Sequence, residues 1–326
     1  MTLSSPTSAS AVADPLISAA PGDVVLVFGE VLFDVFDDRR TLGGAPFNVA
    51  RHLRAFGLYP LLVTRTGTDP ERNVVIEAMN RFGLDVRGVQ SDPTHPTGSV
   101  LVDTGASGHS FNILPNQAYD YINSSLARLT SLSAQPGLLY FGTLAQRSAV
   151  SRRALQSLLR SMEAPTFVDI NLRKPWYDAA TVRYSLRNAQ LLKVNEDELF
   201  ELGRLLHHQL ATTNDLVARL IEDFRIRQVL VTQGERGATL FDEKGVQCVV
   251  TGESISDPIV DTVGSGDGFS AVFILGWLRQ WPVELTMQRA DHFARAMCQL
   301  RGAVPLEDGF YDCWREQWQL QPGWRP

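Results

Sequence analysis

Val24–Phe28 is a continuous apolar run, and strand-like segments recur at residues 138–141, 167–170, 191–194 and 229–232, with helical stretches between the later ones. A run that is apolar at every position, rather than at every second one, suits a strand buried on both faces. Such strands belong to parallel sheets covered by helices on each side. The alternation therefore predicts an α/β fold built on a doubly wound, mostly parallel sheet. The punctuation agrees. Pro46 opens a helical pattern through Val49, Ala50, Leu53 and Phe56 that Gly57 stops, and 61–64 reads as another strand. Asp69-Pro70 then starts a helix that ends at Gly83, with Asp at the N-cap and Pro at the first helical position.

The pattern changes between Thr97 and Leu114. Residues 99–103 and 109–114 flank Thr104-Gly-Ala-Ser-Gly108 and read as an antiparallel hairpin. Together with 31–41 this hairpin is expected to form a small sheet outside the main one. A second hairpin joins 238–241 to 246–250 through Asp242-Glu-Lys-Gly245. Residues 1–22 are rich in Ser, Ala, Pro and Thr, without the basic and apolar regions of a secretory signal. They read as a disordered tail, which leaves 23–326 as the folded part.

Composition removes several function classes. A net charge of −6 argues against nucleic acid as the main partner, because binding phosphates along a strand needs a basic face. No apolar run is long enough to suggest a membrane span. Cys248, Cys298 and Cys313 are well separated and odd in number, which suits a reducing cytoplasm rather than a disulfide framework or a zinc site. Lys occurs only at 174, 193 and 244, so any motif that needs a lysine has few places to sit.

The stretch Asp261-Thr-Val-Gly-Ser-Gly-Asp-Gly-Phe269 holds three glycines within five residues and runs straight into Ser270-Ala-Val-Phe-Ile-Leu-Gly-Trp277. The apolar run predicts a buried helix, which puts Gly264, Ser265 and Gly266 at its N-terminus. Free N–H groups and the positive end of the helix dipole make that end an anion site. A carboxylate there would repel a resting phosphate. It makes chemical sense if Asp267 takes a proton from an attacking hydroxyl while the N–H groups stabilise a transferring phosphoryl group. Read locally, Asp267 as a simple helix cap stands beside that reading. No lysine follows a glycine, so a Walker A loop is excluded. The glycines also do not complete a dinucleotide fingerprint.

At these residues the sequence resembles the ribokinase-like (PfkB) carbohydrate kinases. Two distant regions carry the likeness: Gly43-Gly-Ala-Pro-Phe-Asn48-Val-Ala50, with Gly57 and Gly67 following, and Asp261-Thr-Val-Gly-Ser-Gly-Asp267. The resemblance implies a ribokinase-like doubly wound sheet with a small β-sheet lid, formed by about 31–42 and 97–114. It implies Asp267 as catalytic base and Gly264, Ser265 and Gly266 as its anion hole. Asp34 in Gly29-Glu-Val-Leu-Phe-Asp34, with Gly43, Gly44 and Asn48, matches the sugar site. Arg173 in Asp169-Ile-Asn171-Leu-Arg173 matches an arginine that faces it. Asn195 and Glu198, in Lys193-Val-Asn195-Glu-Asp-Glu198, match an element that organises magnesium through water. Thr232, Gly234 and Gly237 in Val231-Thr-Gln-Gly-Glu-Arg-Gly237 match the strand-turn beside ATP, which Gly264 and Gly266 also meet.

Ala271-Val272 departs from the Ala-Gly usual in the family. Asp291 stands where many relatives carry Asn or His near the adenine. Ala118-Tyr-Asp120 and Gly309-Phe-Tyr311, with Trp314-Arg-Glu316, look most like bacterial fructokinases. The resemblance thus implies transfer of the ATP γ-phosphoryl to a sugar primary hydroxyl, with D-fructose first. Mannose, ribose and 2-keto-3-deoxygluconate are alternatives, as is a non-catalytic sensor on the same fold. ATP and Mg2+ are the implied cofactors, with room for a monovalent cation such as K+ near Asp261. A cytoplasmic homodimer is the implied state.

Overall fold

The computed structural model describes residues 22–105, 108–208, 211–252, 259–305 and 307–320. The expected tail, apart from Gly22, and the tip of the 99–114 hairpin lie outside the described residues. Among those described, the strands are β1 (Val24–Phe28), β2 (Leu32–Val35), β3 (Arg40–Gly43), β4 (Tyr59–Thr66), β5 (Val89–Ser91), β6 (Gly98–Gly105), β7 (Gly108–Ile113), β8 (Leu138–Phe141), β9 (Thr166–Asp169), β10 (Leu191–Asn195), β11 (Gln228–Thr232), β12 (Gly237–Asp242) and β13 (Gly245–Thr251). The helices are α1 (Ala45–Ala55), α2 (Pro70–Arg81), α3 (Ser124–Ala134), α4 (Ala149–Ser161), α5 (Ala179–Arg187), α6 (Glu196–Leu206), α7 (Thr213–Phe224), α8 (Ser265–Leu278), α9 (Val283–Met297) and α10 (Asp312–Gln317).

Nine strands form one sheet in the order β13-β12-β11-β10-β9-β8-β1-β4-β5. Every pairing from β5 across to β11 is parallel, and β12 and β13 add an antiparallel hairpin at the edge. All five residues of β1 are buried, as a central strand covered on both faces must be. Val24, Leu26 and Phe28 pack with the buried leucines of α4, α6 and α7. Val25 and Val27 point the other way, into the layer made by α1, α2, α8 and α9. Phe269 to Leu275 are all buried, because the sheet, α1 and α9 surround that stretch of α8.

The chain leaves β1 in one direction for β4 and β5, and later builds β8 to β11 on the other side. The strand order therefore reverses between β1 and β8. In open α/β sheets that is where the loops after neighbouring strands part and leave a crevice for a ligand. The second sheet has the order β3-β2-β6-β7. It includes the two segments expected to form it, joined by a parallel pairing of β2 with β6. Since β2 follows β1 after only three residues, the small sheet is rooted beside the crevice.

Candidate active site

Two helix N-termini meet at the crevice. The N-cap of α8 is Gly264, in the left-handed region at φ 82°, so Asp267 is three residues inside the helix and does not cap it. Its carboxylate instead accepts a 2.8 Å hydrogen bond from Nδ2 of Asn48 in the first turns of α1. α1 has Gly44 as N-cap at φ 107°, where a side chain would press on the Glu30 carbonyl. Asn48 is buried, and its Oδ1 has no protein partner. Burial pushes the Asp267 carboxyl up to about 6; the Asn48 hydrogen bond opposes this, the charge of Asp169 adds to it, and Lys193 and Arg173 oppose it. A carboxyl with that balance is ionised at neutral pH and close to a proton acceptor's useful range.

Asp34 faces the same region from β2, and its Oδ2 lies beside Gly43 of β3. Burial pushes its carboxyl up to about 6, offset by Arg173. Arg173 is itself exposed and donates to the Leu172 carbonyl. Its charge nevertheless reaches Glu30, Asp34 and Asp267. Asp34, Gly43, Asn48, Asp267 and Arg173, read separately from the sequence, thus gather around one crevice.

The second group of expected residues lies at the ends of β10 and β11. Asn195 caps α6 through Oδ1, while Glu198 returns one oxygen to the Asn195 N–H at 3.0 Å and gives the other to the Leu172 N–H at 2.8 Å. Both Glu198 oxygens are held, which suits a cation met through water rather than ligated directly. No cluster of three or more metal-ligating side chains occurs among the described residues. Thr232 ends β11, and Gly234 and Gly237 turn the chain into β12 with positive φ. Ser265 Oγ donates to the Thr262 carbonyl. Asp261 receives the N–H groups of Val263 and Gly302. Asp291, flagged in the sequence, is buried and gripped by Arg295, whose guanidinium also reaches the Glu235 carbonyl.

Sequence reasoning did not assign five residues that the fold brings here. Asp169 and Lys193 are register partners on adjacent parallel strands and form a buried ion pair at 2.8 Å. Burial pulls the lysine down, but Asp169 more than offsets it, and its ammonium stays charged next to Gly266. Ser270 donates to the same Asp169 oxygen. The signal was a charge of opposite sign inside each of two otherwise apolar strand segments, since buried charges need partners. Glu30, two residues after β1, and Arg147, in the loop after β8, are the other two.

The pfkB family carbohydrate kinase profile matches residues 11–308. A fructokinase of Escherichia coli is 27% identical over 77% of this chain and 83% of its own. A 2-dehydro-3-deoxygluconokinase of Haemophilus influenzae is 26% identical over 74% and 80%. Among solved structures, a fructokinase from Xylella fastidiosa with bound ATP shares the fold at a TM-score of 0.76 and 18% identity, covering 90% of this chain and 99% of that one. With a family profile matching most of its length, the chain belongs to the pfkB family of carbohydrate kinases.

Proposed function

We propose that the protein transfers the γ-phosphoryl group of ATP to the primary hydroxyl of a neutral sugar, D-fructose before others. In this reading Asp267 accepts the hydroxyl proton, and the N–H groups of Gly264, Ser265 and Gly266 stabilise charge on the transferring group. Asn48 orients Asp267 and offers Oδ1 to the sugar. Asp34, Gly43, Gly44 and Arg173 complete the sugar site, and Asn195, Thr232, Gly234 and Gly237 border the nucleotide. Magnesium, held through water near Glu198, supplies neutralisation of phosphate charge when bound. The small sheet serves as a lid that keeps water from the reaction. The ATP seen in the Xylella fastidiosa fructokinase supports the choice of donor.

The observation that carries the sugar class is charge. Asp169 is paired with Lys193 and Asp120 with Arg147. Three further carboxyls, Glu30, Asp34 and Asp267, are raised by burial; Glu30 and Asp267 repel each other, and Arg173 is the cation that acts on all three. A sugar acid would add a carboxylate to a crevice already rich in them, whereas a neutral ketose or aldose brings only hydroxyls. This favours fructose over 2-keto-3-deoxygluconate, with mannose and ribose next.

The test is ADP release with ATP and magnesium over a panel of D-fructose, D-mannose, D-ribose and 2-keto-3-deoxygluconate. The highest kcat/KM is expected with fructose and the lowest with the sugar acid. A preference for the acid would overturn the charge argument. ATP binding without turnover of any sugar would favour a sensor. Sedimentation of the same preparation tests the expected homodimer.

A further inference from the structure

Glu30 and Arg147 leave the sheet from β1 and β8, the two strands at which its order reverses. Arg147 is almost fully buried, with 5% of its side chain exposed. Nε and Nη2 grip Asp120 at 2.7 and 2.8 Å, and Nη2 also donates to the Leu114 carbonyl. The guanidinium lies 4.4 Å from the centre of the Trp176 ring and 5.0 Å from that of Tyr119. Yet Nη1 is buried without a partner, and so is Oη of Tyr119. The guanidinium stands close enough for its charge and a weak hydrogen bond to act on the phenol, yet neither Oη nor Nη1 reaches a partner at full hydrogen-bond geometry. Glu30 is 5% exposed, and its own N–H donates to its carboxyl. The charges of Glu30, Arg147 and Tyr119 act on one another.

Tyr119 and Arg147 are fixed in place. Tyr119 is fully buried below the root of the small sheet, where a Cβ on Gly98 would come within 2.8 Å of its ring. Arg147 cannot turn without breaking its bonds to Asp120. A purely structural cluster gains from matching every donor, because an unmatched buried polar group costs about 1–3 kcal/mol. Here an acceptor, a donor and a hydroxyl that can do either are buried together where the order of the sheet reverses, close enough to Asp267 for its charge to act on Glu30. That set matches two neighbouring hydroxyls on a sugar ring.

We infer that Glu30, Tyr119 and Arg147 form a diol-reading subsite that holds a vicinal pair of sugar hydroxyls which Asp267 and Asn48 do not engage. The inference rests on the sugar-kinase reading and deepens it: the subsite sets which sugars are accepted. A site built to bond a hydroxyl rejects the analogue that lacks it, because its own groups are then left unpaired.

Kinetics with D-fructose and a series of monodeoxy-fructoses test this, on the wild type, Tyr119→Phe and Glu30→Gln, with melting curves to establish folding. Wild type should turn over at least one deoxy sugar with kcat/KM lower by about 100-fold than for fructose. Tyr119→Phe and Glu30→Gln should each lose about 10-fold or more on fructose through KM, with the KM for ATP unchanged, and lose little further on that deoxy sugar. Equal losses on fructose and on every deoxy sugar, or no loss in either variant, would overturn the subsite. If wild type phosphorylates no sugar, the sugar reading falls and this inference with it. Turnover of fructose with indifferent variants sinks the inference alone.

Discussion

The pair Asn48–Asp267 joins two helices whose sequences lie more than 200 residues apart, and it removes the helix-cap role from Asp267. A capping carboxylate would bond the free N–H groups of its own helix; this one reaches sideways to another helix, and Gly264 holds the cap position. Asp267→Asn should therefore fold, with a melting temperature close to wild type, and bind ATP normally. Its kcat should fall by about 100-fold or more, the usual weight of a general base. Near-normal turnover would disprove the assignment. The pH profile carries a second expectation. The base must be ionised, and burial places its carboxyl at about 6. The kcat/KM for sugar should then fall about tenfold per unit below that pH and level off above it. Glu30 and Asp34, whose carboxyls are also raised, titrate in the same region. The Asp267 limb is identified by its absence from whatever activity remains in Asp267→Asn.

At the scale of elements, much of the fold was legible. Runs such as Val24–Phe28 and Leu138–Phe141 are apolar at every position because both faces of the sheet are covered, and both emerged with the expected bounds. The Asp69-Pro70 start of α2 is also as read, with Oδ1 of Asp69 accepting the Arg72 N–H. β5 was missed because three residues carry no periodicity. Strand order left no local trace either, so the meeting of Glu30 with Arg147 and of Asp169 with Lys193 could not be seen in advance. Each charge in those pairs looks solvent-facing until its neighbour in the sheet is known. The glycines before α8 were legible as a type of loop, and the structure explains why one cannot change. Gly264 has φ 82°, and a Cβ there would fall against the backbone of Ala303. Gly264→Ala should displace the first turn of α8 and cost roughly 1–3 kcal/mol of stability. If that turn binds phosphate, the KM for ATP should rise several-fold in Gly264→Ala while staying unchanged in Asp267→Asn. An unchanged KM in both would remove the anion role from this turn.

Across the whole molecule, two kinds of buried titratable group pull stability in opposite directions as pH changes. His52 is fully buried among Phe293, Tyr311 and the aromatic side chains that α10 brings to α1 and α9. Burial, with the charge of Arg51 beside it, lowers its pKa from 6.5 to about 3. Below pH 6.5 the unfolded chain takes up that proton first, so His52 subtracts stability as pH falls towards 3. Glu30 does the reverse. Burial raises it from 4.5 to about 7, so the folded state holds its proton where the unfolded state has lost it. Its contribution is full below 4.5, shrinks as pH rises and is gone above about 7. Asp34 and Asp267 follow Glu30 over a lower window, from 3.8 to about 6. A single melting curve against pH mixes these opposing slopes, but a difference between two proteins isolates one. Glu30→Gln keeps the shape of the side chain and removes its charge. Measured in parallel from pH 4.5 to 8, its melting temperature relative to wild type should climb through this interval and level off above about 7, where the wild type must bury an ionised carboxylate. A flat difference would mean that Glu30 is not buried as an uncompensated acid, and the charge argument for a neutral sugar would lose one of its three carboxylates.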